Sequence, residues 1–151
     1  MNGGRVATVV LGAVAAVLLA VMVAPAAVQR VQDRMDHTAR YASGAAAKAD
    51  RTEVPRWLPD TATGVAFLGS DRQNDRLIRA TLPERALPAD CTAGRPLGDV
   101  HLRAPWFPRD TPQRATAHCG LYDVALVGDQ LYGWQDAAVV AASRTTGPTG
   151  H

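Results

Sequence analysis

The sequence predicts an N-terminal transmembrane helix followed by a small β-rich domain of mainly antiparallel strands with a C-terminal hairpin; an α+β domain is the alternative. Three observations predict this fold class. A long apolar run lies near the N-terminus, and short segments that alternate apolar and polar residues, separated by glycine and proline, follow it. The third is the pair Gly128-Asp129 between two apolar runs, which is typical of a two-residue hairpin turn.

The apolar run begins at Val6, ends at Val23 and contains no charged residue. As an α-helix that rises about 1.5 Å per residue it would be roughly 27 Å long, close to the hydrocarbon thickness of about 30 Å in a bilayer. The run is longer than the apolar core of a signal peptide, so we predict a retained single-pass anchor in the lipid bilayer. The alternative is a signal that starts with the basic tail 1–5 and is cleaved near Ala26, which would leave a secreted protein.

The orientation of this run in the membrane is predicted differently by its flanking charges and by the cysteines of the domain. Only Arg5 precedes it, whereas several basic residues follow it, and the positive-inside rule would then place the C-terminal part in the cytoplasm. The cysteine pair and the signal-like N-terminus favour export. We therefore predict a domain outside the cytoplasmic membrane, and a cytoplasm-facing protein with free thiols stays open as the alternative.

The remaining chain is predicted to have four parts. Val28, Val31 and Met35 recur at helical spacing, which favours a helical stalk after the anchor. Small and polar residues that offer no core anchor then indicate a linker. The predicted parts are the stalk (24–42), the linker (43–54), the β-rich domain (55–142) and a disordered tail (143–151).

Alternation and turn residues predict the strands of the domain. Strands are expected over residues 64–68, 76–82 and 99–103, the last with Val100 and Leu102 facing the core. Proline and glycine dominate residues 83–98, which are therefore expected to be a loop that contains Cys91.

The hairpin around Gly128 sets a register by itself. Pairing Val127 with Gln130 places Leu126 opposite Leu131, so both faces of the hairpin carry apolar residues and we expect it in the middle of the sheet. Asp136 follows the hairpin and is expected to cap a short helix over residues 137–142.

Large aromatic residues are few and supply the candidate binding surface. Trp106 and Phe107 lie between two prolines, where they form either a packed corner or an exposed patch; the packed corner is favoured because large aromatics dominate small cores. Together with Trp57 they are the residues that an interaction surface would use.

Cys91 and Cys119 are the only cysteines, and in an oxidising compartment such a pair is most simply a disulfide. A zinc site would have to combine them with His101 and His118, and none of the short paired spacings of zinc ligands is present. A Cys-His nucleophile is disfavoured because His118 and Cys119, as strand neighbours, point to opposite faces. We expect no metal and no cofactor.

Charge and motifs exclude several functions. Residues 55–142 contain nine arginines and ten acidic residues, which is no basic face for nucleic acid. Ser70, the one serine in this range, is not in a G-x-S-x-G motif, and no glycine-rich phosphate loop is present. The aspartates fall mostly at expected turns, where backbone reasons explain them.

Several short stretches carry a resemblance to a known group of proteins. They are Trp57-Leu58-Pro59-Asp60, the cysteine that follows Leu87-Pro88, and Cys119-Gly120 together with the run from Gly128 to Trp134. Over residues 55–136 the chain resembles small actinobacterial proteins of uncharacterised function with one N-terminal membrane segment and a compact extracytoplasmic domain. The resemblance implies the location and the disulfide, and it implies no activity.

The absence of a catalytic motif favours a non-enzymatic binding or interaction module whose ligand the sequence does not identify. Its partner would be another envelope protein or a cell-wall component. The alternative is a small envelope hydrolase that uses aspartates, which would require two carboxylates to converge in one cleft.

Overall fold

The computed structural model of the protein describes residues 36–70 and 73–147. This part of the chain forms a seven-stranded antiparallel sheet with three short helices, so the expectation of a β-rich, mainly antiparallel domain is confirmed. The strands are β1 (Asp36–Ser43), β2 (Thr63–Ser70), β3 (Arg76–Thr81), β4 (Cys91–Ala93), β5 (Ala117–Cys119), β6 (Tyr122–Val127) and β7 (Gln130–Gln135), and the helices are α1 (Gly44–Asp50), α2 (Thr111–Arg114) and α3 (Ala137–Thr145).

The predicted anchor over residues 6–23 lies outside the described residues, as do the first part of the predicted stalk and residues 148–151 of the tail. The start of the tail is not disordered as expected, because α3 continues to Thr145. Among residues 36–70 and 73–147, no helix has the length and apolar character needed to cross a bilayer.

The hairpin of β6 and β7 lies in the interior of the sheet, as expected. The strand order is β1-β2-β3-β7-β6-β5-β4, and Val127 pairs with Gln130 as the sequence predicts. Gly128 adopts a φ of +65°, a conformation that glycine reaches without steric cost and that a tight hairpin turn of this kind requires.

Both faces of the sheet are covered by apolar clusters. The first face buries Phe67 and Ile78 with Leu131, and α1 and Leu58 pack onto it. The second face buries Leu77 and Trp134 beneath Phe107. Alternate residues of the central strands therefore belong to different cores, which explains the apolar character of both faces.

Residues 36–42 are an edge strand and not the helical stalk that we expected. β1 pairs with β2 along its length, from the Asp36–Ser70 pair to the Ser43–Thr63 pair. From Thr38 onward its exposure alternates residue by residue, and Tyr41 packs against the first core. Ladder hydrogen bonds to the open edge of β2 therefore outweigh the weak helical pattern.

The expected linker also proves to be part of the fold. Ser43 caps α1 by accepting a hydrogen bond from the Ala46 amide, and Ala47 is fully buried. A Cβ at Gly44 would overlap the Pro59 carbonyl oxygen, so the small residues that seemed to offer no anchor permit close backbone approach. The compact unit accordingly begins at Asp36 and not at residue 55.

The strand expected over residues 99–103 is absent, and these residues belong to a long loop that crosses the second face. Val100 and Leu102 are only half-buried there, against the second core. The Asp99 amide donates to the Asp136 carboxylate at 2.9 Å instead of to a neighbouring strand. The hydrogen-bond acceptor of this amide is therefore a carboxylate and not the backbone of a neighbouring strand, as the alternating pattern had predicted.

Cys91 and Cys119 form a disulfide, as predicted. They occupy directly paired positions of β4 and β5, so the bond links the edge strand β4 covalently to its neighbour. The bond also closes the loop from residue 91 to residue 119. With a sequence separation of 28 residues, the chain-entropy model assigns the bond about 3 to 4 kcal/mol of stabilisation. Both cysteines are therefore unavailable as zinc ligands or nucleophiles.

Candidate functional site

The loop over residues 94–110 is attached to the second face of the sheet mainly through carboxylates. The amides of Leu97 and Gly98 donate to Asp123 on β6 at 2.8 to 3.0 Å. The indole N–H of Trp134 donates to the Gly98 carbonyl oxygen at 3.1 Å. These bonds join backbone groups of the loop to side chains of β6 and β7, so they determine where the loop lies.

The pKa values of the two carboxylates that bind this loop, those of Asp123 and Asp136, are shifted in opposite directions. Burial raises the pKa of Asp123 despite the amides of Leu97 and Gly98, which lower it. Burial also acts to raise the pKa of Asp136, but there the backbone N–H donors and His101 prevail and the pKa lies below its usual value. Asp136 is therefore ionised at neutral pH.

Gly98 allows the loop to approach the start of α3. A Cβ at this position would lie 2.5 Å from the Asp136 Cβ and 2.8 Å from a Val139 methyl carbon. Only a residue without a side chain fits there.

Residues 99–113 enclose a cleft of about 880 Å³. Its lining combines the apolar side chains of Val100, Leu102 and Phe107 with the charged residues Asp99, Arg103 and Arg109. Both arginines are exposed. A concave, partly apolar surface with two guanidinium groups can hold a ligand that carries carboxylate or phosphate.

The three aromatic residues of the expected binding patch do not lie together. Trp57 is half-buried against the first core, where its ring meets that of Tyr122 edge to face with centroids 5.6 Å apart. Trp106 and Phe107 pack on the opposite face, and Phe107 is only 8% exposed. Aromatic burial in two separate cores has therefore removed the single patch, and the packed corner is the correct interpretation of Trp106 and Phe107.

A second pocket, of about 520 Å³, lies at the start of α3. Asp75, His101 and Asp136 meet in its wall, with one ligand atom from each within 4.8 Å of the others. The His101 Nε2 atom is 3.4 Å from the Asp136 Oδ2 atom. Two carboxylates and an imidazole in this arrangement are able to hold a divalent cation.

Both carboxylates of this pocket also cap α3. Asp75 accepts a hydrogen bond from the Ala137 amide at 2.9 Å, and Asp136 accepts one from the Ala138 amide at 2.8 Å. The Asp136 cap was expected from the sequence, whereas the contribution of Asp75 was not.

Sequence reasoning missed the meeting of Asp75, His101 and Asp136 because the three are distant along the chain. Asp75 immediately precedes β3 and Asp136 immediately follows β7, and Arg76 pairs with Gln135 where these strands meet. The β3–β7 pairing alone would have placed the two aspartates side by side. That pairing was the missing signal, since it joins strands far apart in the sequence.

Comparison of the chain with protein-family models, with curated proteins and with solved structures finds no match. The resemblance to actinobacterial envelope proteins therefore stays a prediction.

Proposed function

We propose that the protein is a non-enzymatic binding module, anchored by residues 6–23 to the outer face of the cytoplasmic membrane, and that its ligand occupies the cleft of residues 99–113. The cleft is the observation that carries this proposal. Its ligand is a partly apolar anion, such as an acidic segment of another envelope protein or an anionic cell-wall component.

The chemistry of the cleft supports this ligand class. Arg103 and Arg109 are exposed and can pair with carboxylate or phosphate oxygens, whereas Asp99 is the one acid among the described residues that line the cleft. Val100 and Leu102 offer apolar surface beside them. Carboxylates hold the loop backbone in place, so little ordering entropy is lost when a ligand binds.

Fluorescence anisotropy of labelled peptides tests the ligand class. The probes are a peptide of alternating Glu and Leu and its Gln-Leu counterpart, added to the full-length chain in mild detergent. We expect the acidic peptide to bind, and the double variant R103E/R109E to weaken binding about tenfold or more at low salt. The matched control is R56E/R95E, which reverses two exposed arginines outside the cleft. Equal weakening by both variants, or equal binding of both peptides, contradicts the proposal.

The disulfide supports the location outside the cytoplasm, because disulfides persist in oxidising compartments. Labelling of intact cells with a membrane-impermeant maleimide tests this location. We expect Cys91 and Cys119 to react only after reduction. Thiols that react without reductant, and only once the cells are lysed, would instead support the cytoplasm-facing alternative.

A hydrolase that uses aspartates is the second candidate, favoured by the convergence of Asp75 and Asp136 in one pocket. The lowered pKa of Asp136 argues against its acting as a general acid at neutral pH. Chromogenic esters, phosphoesters and glycosides provide the assay. Turnover that D75N and D136N both abolish would favour the hydrolase over the binding module.

A further inference from the structure

The pocket at the start of α3 is lined almost entirely by groups that bind metal ions. Asp75, His101 and Asp136 line it with the amide residues Gln73 and Asn74 and two alanines. Neither lysine nor arginine is among these lining residues of the described chain. A cation that enters the pocket therefore meets carboxylate, imidazole and amide donors.

The separation of the donor atoms suits one small ion. Two ligand atoms that each lie about 2.0 to 2.2 Å from a tetrahedral zinc ion are roughly 3.4 Å apart. The His101 Nε2 and Asp136 Oδ2 atoms are 3.4 Å apart, and no donor of the trio is more than 4.8 Å from another. The His101 side chain is 51% exposed, so it can move the short distance that closes the set.

The hydrogen bonds that Asp75 and Asp136 accept leave lone pairs of both carboxylates free to bind an ion. A carboxylate offers about four lone-pair sites, and an amide N–H uses one of them. Asp75 accepts from one amide, Ala137, whereas Asp136 accepts from two, Asp99 and Ala138.

We propose that Asp75, His101 and Asp136 form a binding site for a divalent transition-metal ion, for which Zn²⁺ is the probe. Carboxylate and imidazole together suit zinc, and the open pocket leaves the remaining coordination position to water. The positive end of the α3 dipole offsets part of the carboxylate charge, so we expect micromolar affinity and not the tighter binding of a closed structural site. The inference is independent of the ligand that the cleft takes.

Isothermal titration with ZnCl₂ tests the site. The sample is the full-length chain in mild detergent, freed of metal by chelation and carrying no polyhistidine tag. We expect one ion per chain and a loss of affinity of about tenfold or more in both H101A and D136N, the scale on which changes at metal sites act. D136N keeps an N-cap, since asparagine caps a helix as well as aspartate does, but its amide nitrogen cannot accept from the Asp99 amide. The urea midpoint of each variant is therefore measured to show that it is folded before the titration.

D90N is the matched control, because Asp90 is an exposed acid that lies outside the ligand set and outside the linings of both the cleft and the pocket. It should bind Zn²⁺ within about twofold of the unchanged protein, since a screened surface charge contributes little. A change in the ¹⁵N chemical shifts of the His101 ring on zinc addition is the second readout. Absence of binding, or binding that H101A and D136N leave unchanged, would overturn the proposal and leave the two carboxylates as helix caps only.

Discussion

Replacement of Gly98 by alanine tests how the loop is attached. The added Cβ would lie 2.5 Å from the Asp136 Cβ, 2.6 Å from the Asp136 Oδ2 and 2.8 Å from a Val139 methyl carbon. Ordinary carbon contacts need about 3.5 Å or more, so the loop or the start of α3 must move by roughly 1 Å. Overpacking of this kind costs about 1 to 3 kcal/mol.

The displacement also weakens two hydrogen bonds of the loop. Gly98 donates to Asp123 at 3.0 Å and Asp99 donates to Asp136 at 2.9 Å. Each such bond contributes about 1 kcal/mol, so together with the overpacking G98A should lower the free energy of unfolding by roughly 3 to 5 kcal/mol. That is a large part of the total stability of a small domain, which is about 5 to 15 kcal/mol.

Urea unfolding followed by tryptophan fluorescence measures this loss, since Trp134 is buried beneath the loop and donates to Gly98. We expect the midpoint to fall by roughly 2 M at a slope typical of small domains. G120A is the control: Gly120 has a φ of +61° and no neighbour within 4 Å of an added Cβ, so only backbone strain of about 1 to 2 kcal/mol applies. A G98A midpoint equal to that of the unchanged protein, or above that of G120A, would refute the steric argument.

Reduction of the Cys91–Cys119 bond should lower the free energy of unfolding by about 3 to 4 kcal/mol, measured by urea unfolding with and without reductant. The pKa of Asp136 is lower in the folded protein than in the unfolded chain, so the ionised carboxylate stabilises the fold above about pH 4. This contribution to the free energy of unfolding is lost as the pH falls through the lowered pKa, so the free energy of unfolding should decrease less with falling pH in D136N than in the unchanged protein. Burial raises the pKa of the Tyr122 hydroxyl to about 12, although the nearby Arg76 guanidinium acts to lower it, and the hydroxyl makes no well-formed hydrogen bond to the described residues. Y122F should therefore leave the melting temperature unchanged or raise it, with a gain of up to about 1 kcal/mol, whereas a clear loss would reveal a missed partner.

The loop over residues 94–110 contributes residues to both the cleft and the pocket. Asp99 lines the cleft, its amide binds the Asp136 carboxylate, and His101 two residues later lines the pocket. A ligand in either place therefore restrains the same backbone. Ordering of this loop by zinc should be visible as slower amide exchange at Asp99.

Local sequence determined those parts whose partners are close along the chain. The Gly128 turn, the register from Val127 to Gln130 and the Asp136 cap were all predictable, because each depends on residues within a few positions of one another. The Cys91–Cys119 bond was also predictable, since two cysteines allow only one pairing.

Tertiary structure decided what depends on distant partners. Residues 36–42 became a strand because β2 offered an open edge, and the amide of Asp99 turned to Asp136 and not to a strand. The sheet separated Trp57 from Trp106 by packing them on opposite faces. Pairing of β3 with β7 brought Asp75 to Asp136. A single sequence encodes the alternation of faces along each strand, but which strands become neighbours is set by the free energy of the whole sheet.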